Sequence, residues 1–256
     1  MFAGKMSDSI GRKKTMILSA ILFTVSALGC ALSSSLNQLV LYRIVGGIGI
    51  GIVSIVSPLY ISEISPASHR GRMVILYQLA VTIGFLGAYL MNYFLLNFSE
   101  NYTSQSELLS RIFGTEIWRG MLGAETLPAI LFSIAIFFIP ESPRWLILKG
   151  NEFGANRIFL KIYQDPSIIE FSINETKTML LSETKSDWKM LFARGTFRAV
   201  LIGSAIALLG QFMGVNAVLY YEPSIFESNG LSSGDSLFYQ SLIGLVNVCT
   251  TVLSLW

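Results

Sequence analysis

The chain has 256 residues, of which 52% are hydrophobic and only 13% are charged, and its mean hydropathy is +0.59. Ordinary soluble domains are far less apolar, so this composition excludes a soluble globular protein and indicates a polytopic membrane protein. The formal net charge of +2 needs no nucleic-acid partner to explain it.

Long uncharged stretches follow one another along the chain, and each approaches or exceeds the roughly 20 residues that cross a bilayer as a helix. They are rich in Gly, Leu and Ile and do not alternate polar with apolar residues, so strands are disfavoured. The fourth stretch is interrupted only by Glu125. In chain order, we predict an all-α protein with membrane helices at about 15–35, 39–62, 73–96, 120–139, 198–221 and 237–256.

The basic residues are distributed unequally between the two sides that six crossings would create. Fifteen of the eighteen Lys and Arg residues lie in segments 1–14, 63–72 and 140–198, whereas only Arg111 and Arg119 lie in segments on the opposite side. Loops that carry most of the Lys and Arg face the cytoplasm, so the sequence predicts that these three segments are cytoplasmic.

No pattern in the sequence indicates catalysis or metal binding. Cys30 and Cys249 fall in predicted helices and are interpreted as small buried apolar residues, and His69 lies in a predicted cytoplasmic loop without companion ligands. Nucleophile triads and phosphate-binding loops are also absent from the sequence. We therefore expect no enzyme, no cofactor and no metal.

The residues at the two ends of the chain predict that it is a fragment of a longer protein. The first three residues precede a loop of the kind that normally leaves a membrane helix, and Leu255 and Trp256 end an apolar run without a polar flank.

Charged and glycine-rich phrases separate the apolar runs, and their order is distinctive. They are Gly4 to Lys14, Arg43 to Gly51, Pro58 to Pro66, Arg70 to Arg72, Pro140 to Arg144, and Gln211 to Asn216 followed by Tyr220 and Tyr221. This ordered set resembles the sugar porter family of the major facilitator superfamily. The similarity extends from residue 4 to about residue 250.

The resemblance implies that the chain covers helices 3 to 8 of a twelve-helix fold, in which two halves surround a central site that opens alternately to each face. It implies three parts: 1–139 in the N-terminal bundle, 140–197 as a cytoplasmic helical linker, and 198–256 in the C-terminal bundle. A linker helix is expected from Asn151 to Tyr163, with breaks at Pro166 and 182–187. A regulatory linker and a merely solvated one both remain open.

Carboxamides inside membrane helices are the first candidates for binding a sugar, because each side chain supplies a donor and an acceptor for hydroxyl groups. Gln78 begins a stripe that continues with Thr82, Phe85 and Tyr89 on one helix face. The resemblance implies that Gln78 contacts sugar; the alternative is a hydrogen bond to a neighbouring helix.

Gln211 and Asn216 lie five residues apart, about 140° around a regular helix. Both can touch one ligand only if the ligand lies between them or if the helix is unwound near Gly214. Close helix packing is the alternative reason for Gly214, for Gly210 four residues earlier and for the glycines of 46–51.

Two further candidates complete the predicted sugar site. Tyr220 shares a face with Asn216, and the resemblance implies that Asn247 also contacts sugar. Sugar porters usually carry two adjacent glutamines where this chain has Gly210 and Gln211. The missing carboxamide leaves a non-standard substrate open.

Arg43 and Glu125 are charged residues within predicted membrane helices, where charge is costly and usually has a partner or a task. The resemblance implies proton coupling for both, with a helix that lies outside this chain supplying a further carboxylate. A plain structural ion pair is the alternative, and symport and uniport both remain options.

Acidic and basic residues are interleaved in the predicted cytoplasmic segments. We predict that they form a cytoplasmic gate whose ion pairs latch the two halves together in one state, although the basic members also anchor the topology. The predicted gate residues are Asp8, Arg12, Glu63, Arg70, Arg72, Glu141 and Arg144.

The leading hypothesis is a carrier that moves a hexose or pentose across the plasma membrane by alternating access, with the bilayer, the sugar and, for symport, protons as its partners. The alternatives are a carrier for a polyol or inositol, a sugar sensor on the same fold, and a truncated remnant that does not transport.

Overall fold

The computed structural model describes residues 2–66, 68–100, 111–163, 165–182 and 194–254. Within these ranges the regular elements are helices, with a short π-helical segment at Arg111–Thr115 and no strand. The α-helices are α1 (Phe2–Ile10), α2 (Arg12–Leu32), α3 (Leu36–Ile64), α4 (Arg70–Glu100), α5 (Ile117–Ala124), α6 (Thr126–Phe138), α7 (Pro143–Leu148), α8 (Glu152–Ile162), α9 (Pro166–Ser182), α10 (Arg194–Phe212), α11 (Val215–Ser228) and α12 (Ser233–Leu253).

Six helical stretches are long and apolar enough to cross a membrane, which confirms the predicted all-α, multi-pass architecture. They are Arg12–Leu32, Leu36–Ile64, Arg70–Ser99, Ile117–Phe138, Thr196–Ser228 and Ser233–Leu253. Each predicted span corresponds to one of them. The segment before the first span was predicted to be a loop, but α1 occupies most of it.

The fourth span is broken at Glu125, where the sequence predicted a continuous helix. α5 ends at Ala124 and α6 begins at Thr126. Pro128 explains the break, because a proline cannot donate a backbone hydrogen bond and its ring clashes with the carbonyl four residues earlier, which here belongs to Ala124. The break leaves the Glu125 side chain at a corner between two short helices.

The fifth span is broken at Gly214. Its φ of 72° is left-handed, a conformation that glycine adopts without steric cost, and it separates α10 from α11. The unwinding considered for this position is therefore present. A Cβ at Gly210 or Gly214 would meet no atom within 4 Å in the described part of the chain, so close packing does not explain either glycine here.

The helices α2 and α3 pack closely through small residues. A Cβ at Gly46 would overlap the Ser26 side chain, and one at Gly49 would lie 3.3 Å from Phe23, so helix packing accounts for these two members of the 46–51 run. Buried apolar residues continue this contact toward the end of the bundle that contains Arg12 and Glu63, which is predicted to be cytoplasmic and is called the cytoplasmic end below. These residues reach Ile136 of α6 and are Met16, Ala20, Ile52 and Val56.

The N-terminal helices meet the C-terminal ones chiefly where α4 packs against α12. Gly244 of α12 approaches so closely that a Cβ there would lie 2.9 Å from the Tyr89 ring and 3.3 Å from Leu86. Nearer the outer end, the rings of Tyr93 and Phe238 have centroids 5.9 Å apart. Residue numbers fall along α12 as they rise along α4, so the two helices run antiparallel.

The opposite face of α12 points away from this contact. Cys249 lies there and is exposed, which corrects the prediction that it is buried, whereas Cys30 is buried as predicted.

Three helices of the predicted cytoplasmic linker, α7, α8 and α9, form a small cluster around Ile147, Ala155, Phe159 and Ile169. The predicted linker helix corresponds to α8, while Pro166 begins α9 instead of only ending its predecessor, as suits a proline in a first helical turn. Most of the predicted break at 182–187 lies outside the described residues.

Asp165 precedes α9 and accepts hydrogen bonds from the side-chain hydroxyl of Ser167 at 2.7 Å and from its backbone N–H at 2.9 Å. These bonds, the hydroxyl first, hold the pKa of Asp165 below its usual value. The carboxylate therefore caps the start of α9.

Candidate functional site

A cavity of about 330 Å³ lies between α3 and α4 on one side and α11 and α12 on the other. Its lining combines three carboxamides with aromatic rings and one cation, which suits a small polar ligand that also carries apolar surface. The lining residues are Arg43, Phe85, Tyr89, Asn92, Asn216, Leu219, Tyr220, Pro223, Leu237 and Gln240.

The break at Gly214 brings two predicted ligand-binding side chains together. Asn216 donates through Nδ2 to Oε1 of Gln211 at 3.2 Å, which a regular helix would not allow for residues 140° apart. Both side chains are exposed in the described chain. Asn216 lines the cavity itself, and Gln211 is linked to the cavity through it.

The five predicted sugar-binding residues do not all reach this cavity. Asn216 and Tyr220 line it, while Gln78 and Asn247 do not. Gln78 lies eleven residues before Tyr89 on α4, and Asn247 lies three residues after Gly244 on α12. Because the helices are antiparallel, both are displaced from the cavity toward the cytoplasmic end.

The stripe predicted on α4 is only partly available for binding. Phe85 and Tyr89 stack with ring centroids 6.3 Å apart and line the cavity. Thr82 is buried, and its hydroxyl donates to the carbonyl of Leu79 one turn earlier at 2.9 Å, so that donor is used within the helix.

Arg43 and Glu125 are brought together by the structure. The Arg43 Nη1 lies 3.5 Å from Glu125 Oε1, and the two side chains are 54% and 52% exposed. This is a long and open ion pair of the kind that contributes little to stability. Arg43 also lines the cavity, so the ion pair links the helix break at Glu125 to the cavity.

A dense network of charges lies at the cytoplasmic ends of α2 and α3. Arg12 is buried, and its guanidinium donates to both oxygens of Glu63, from Nε and Nη2, each at 2.9 Å. The side chains are 7% and 3% exposed. Ser142 donates its hydroxyl to Glu63 Oε2 at 2.6 Å, and Asp8 pairs with Arg12 at 2.9 Å from a largely exposed position. Glu63 is therefore fully partnered.

Glu141 joins the same network through the backbone at the start of α2. Its Oε1 accepts from the backbone N–H groups of Arg12 and Lys13, at 2.9 and 3.1 Å, and thus caps the N-terminus of α2. Gly11 precedes α2 with φ 102°, and a Cβ at this position would overlap the Glu141 carboxylate. Only glycine fits this turn.

Of the seven predicted gate residues, four lie in this network: Asp8, Arg12, Glu63 and Glu141. Arg144 follows it, half-buried, at the start of α7. Arg70 and Arg72 are exposed at the start of α4 and form no ion pair with the described part of the chain. The contacts described for the four network residues all lie between residues 2 and 145. The network therefore ties α1, α2 and α3 to the start of α7, and the latch between halves stays a prediction.

Sequence reasoning missed four polar residues that the structure makes prominent. Asn92 and Gln240 line the cavity, Ser142 completes the Glu63 site, and Glu222 is buried in α11. Glu222 directly follows the predicted fifth span, and an acidic residue so close to a membrane helix is the signal that could have identified it. The other three become visible only when the helix register is known.

The helical bundle, its cytoplasmic charge network and its cavity between two groups of helices together define a multi-pass membrane protein of the major facilitator fold. The proton:xylose symporter XylE of Escherichia coli, solved with bound 6-bromo-6-deoxy-D-glucose, superposes with a TM-score of 0.82 at 32% identity, over 99% of this chain and 55% of that one.

The chain belongs to the family described as "Sugar (and other) transporter", whose model matches residues 1–256. It is 35% identical over 255 residues to a "Glucose transport protein" of Synechocystis and 34% identical to the "Galactose-proton symporter" of Escherichia coli strain K12. Both alignments cover 99% of this chain, and 53% and 51% of those proteins. The chain thus spans about half the length of the curated relatives it matches.

Proposed function

We propose that this chain, within its complete reading frame, carries a hexose or pentose across the plasma membrane by alternating access. The observation that supports this best is the composition of the cavity wall. Asn92 from the N-terminal helices and Asn216 and Gln240 from the C-terminal helices border one space of about 330 Å³. A hydroxylated solute held there would bind both helix groups at once, as alternating access requires.

The chemistry of the wall matches a sugar ring. Carboxamides donate and accept hydrogen bonds with hydroxyl groups, and the faces of Phe85, Tyr89 and Tyr220 offer apolar surface to the C–H side of the ring. The relatives named as glucose and galactose carriers support the same substrate class.

The roles of individual residues are part of the proposal. Asn216 and Tyr220 bind the sugar in the cavity, with Gln211 orienting Asn216 through their hydrogen bond. Gln78 and Asn247, nearer the cytoplasmic end, contact it at a later stage of passage. In the same way, the division into 1–139, 140–197 and 198–256 is proposed for the complete protein.

Proton symport through Arg43 and Glu125 is the form of transport that we propose, because their open ion pair borders the cavity and either partner is accessible to exchange. Relatives named as galactose–proton and xylose–proton symporters support it. Uniport is the alternative.

The test is uptake by proteoliposomes that contain the protein expressed from its complete reading frame. Labelled glucose, galactose and xylose are offered with and without an inward proton gradient, and each is challenged with unlabelled sugars, inositol and polyols. Saturable uptake that hexoses or pentoses inhibit supports the proposal. A protein that binds sugar but moves none would instead be a sensor, and one that does neither is not a sugar carrier.

A polyol or inositol carrier is the second candidate, because Gly210 stands where sugar porters usually have a glutamine. Loss of one carboxamide removes a partner for one hydroxyl, which costs about 1–3 kcal/mol where the group is left unpaired. Inhibition by inositol at lower concentrations than by any sugar would select this candidate.

A further inference from the structure

Glu222 is a buried carboxyl group to which the transport scheme above gives no task. It lies in α11, 2% exposed, and neither of its carboxylate oxygens has a hydrogen-bond partner among the described residues. It is the residue between Tyr221 and Pro223, in the part of α11 that borders the cavity. Two unpartnered acceptors on one acidic side chain are unusual in a folded protein.

Among the described residues, the groups that face Glu222 include no cation. From α12, the Gln240 carboxamide lies beside the carboxylate and interacts with it electrostatically, although without the geometry of a normal hydrogen bond. From α4, Tyr89 is near enough to interact with Glu222 and with Tyr220 of the same helix. The cation that lines the same cavity is Arg43 on the α3 wall, and it pairs with Glu125.

A carboxylate enclosed in the membrane without a cation is costly, by several kcal/mol, so the group needs a proton or a positively charged partner to remain there. We propose that Glu222 is a second proton-binding site of the transport cycle, distinct from the Arg43–Glu125 pair, and that it acts on the substrate through Gln240. This inference rests on the proposed transport function.

The proton balance is simple. A proton from the outer solution forms one O–H bond at the carboxylate, and the same bond breaks when the group later faces the opposite solution, so no other species is consumed. The break at Gly214 lets α11 change its orientation separately from α10, which supplies the two environments.

Gln240 connects the proton to the substrate because it faces Glu222 and also lines the cavity. Beside a carboxylate, its amide NH2 turns toward Glu222 and its oxygen is left for the ligand. Beside a protonated acid, its oxygen accepts the new O–H, and the NH2 is left for a sugar hydroxyl. Protonation thus changes which group the cavity offers to the substrate, and by linkage the substrate changes proton affinity by the same factor.

The test uses the complete protein purified in detergent and Glu222→Gln, which cannot take up a proton. Glu227→Gln is the matched control, because Glu227 is an exposed acid on the same helix. The dissociation constant of the transported sugar is measured from pH 5.5 to 8.5 for each protein. We expect at least a five-fold change for the wild type and for Glu227→Gln, and a change at least two-fold smaller for Glu222→Gln, in which only the Arg43–Glu125 pair remains to couple binding to pH.

Glu222→Asp retains an acid and should restore the pH dependence, which excludes a general effect of damage at this position. If Glu222→Gln is too unstable to purify, pH dependence in Glu222→Asp still has to shift along the pH axis, and an unshifted profile contradicts the proposal. A wild-type profile in Glu222→Gln overturns it as well.

A second readout separates this inference from the proposed function. Infrared difference spectra between low and high pH, recorded without sugar, should contain a protonated-carboxyl C=O band that is absent in Glu222→Gln and present in Glu227→Gln. If no sugar binds but this band is found, the transport proposal fails and the proton site remains. If sugar is transported and the band is unchanged in Glu222→Gln, the proton site fails alone.

Discussion

In the part of the chain that the structure describes, Glu63 and Glu222 have almost completely buried side chains, and their surroundings differ in every other respect. Glu63 receives two hydrogen bonds from Arg12 and one from Ser142, whereas Glu222 receives none from the described residues. A charge that is paired and hydrogen-bonded is fixed in place by its partners. A charge without partners is free to change its state, so the comparison separates a structural acid from an exchangeable one.

The same contrast distinguishes the two ends of the membrane bundle. The cytoplasmic end joins α2, α3 and α7 through side chains whose donors and acceptors are used. The cavity between α4 and α11 leaves carboxamides and an ion pair open to a ligand. At the cytoplasmic end, hydrogen bonds and ion pairs fix the helices to one another. At the cavity, where a solute would bind, hydrogen-bonding groups remain unused.

The largest effect is expected from breaking the buried pair at the structural acid. Glu63→Gln removes the buried counter-charge of Arg12 and leaves it only the largely exposed Asp8, which should cost about 3 kcal/mol of stability. Thermal unfolding of the purified protein, followed by the exposure of its buried cysteine, measures the loss. Arg72→Gln removes an exposed charge at the same side of the membrane and should leave the transition unchanged. Equal transitions for Glu63→Gln and the wild type would contradict a structural role.

Gly11→Ala should be the next most damaging change. It forces a side chain into a left-handed turn and displaces the Glu141 carboxylate that caps α2, at a combined cost of about 2–3 kcal/mol. Gly4→Ala is the matched control, because a Cβ there meets nothing within 4 Å and Gly4 lies in an ordinary helix. The same unfolding assay applies, and comparable stability of the two variants would show that the turn tolerates a side chain.

Glu222→Gln should behave in the opposite way to Glu63→Gln. Because no cation among the described residues pairs with Glu222, replacing the carboxyl by an amide should leave stability unchanged or raise it by about 1 kcal/mol. A loss as large as that of Glu63→Gln would mean that Glu222 is held by a partner, and the distinction between the two acids would then be wrong.

The Arg43–Glu125 ion pair is intermediate between the fully partnered Glu63 and the unpartnered Glu222. The coupling free energy between its two side chains should be small. A double-mutant cycle with Arg43→Gln and Glu125→Gln should give a coupling free energy below about 1 kcal/mol, since both side chains are half exposed. The cycle is measured by unfolding at low and high salt. A coupling of several kcal/mol that salt does not weaken would identify the pair as structural.

The smallest effect is expected at Asp165. Its folded-state pKa lies below the unfolded value, so its contribution is present above the unfolded pKa and is lost as the pH falls through the folded pKa. Asp165→Ala should therefore speed amide hydrogen exchange in the first turn of α9 at pH 7, and make little difference in acid. Ser167→Ala, which removes the hydroxyl donor, should give part of the same effect.

The membrane spans could be predicted because each depends on the apolar length of a short segment, and their orientation, which rests on basic content, stays a prediction. The contacts between Arg12, Glu63 and Glu141 depend on residues 51 to 129 positions apart, which composition does not relate. The sequence could predict that these three residues belong to one charged group, but it could not predict which of them contact each other.

The predicted cavity residues show a similar limit. Periodicity places Asn216 and Tyr220 on one helix face, but the register of α4 against α12, set by Gly244 and Tyr89, decides that Asn92 and Gln240 line the cavity while Gln78 and Asn247 do not. The break at Glu125 was missed because the hydropathy of the run hides the local effect of Pro128.

The capping of α2 by Glu141 also orders the events of synthesis. The first amides of α2 emerge from the ribosome 129 residues before the carboxylate that satisfies them. Until residue 141 has been translated, α2 is a membrane helix with an open N-terminus, and Arg12 and Glu63 lack the serine that completes their site. We expect a ribosome-bound nascent chain ending at residue 139 to be digested by protease at this end far faster than one ending at residue 190, in which residue 141 has left the ribosome, so the first bundle closes only after the linker has emerged.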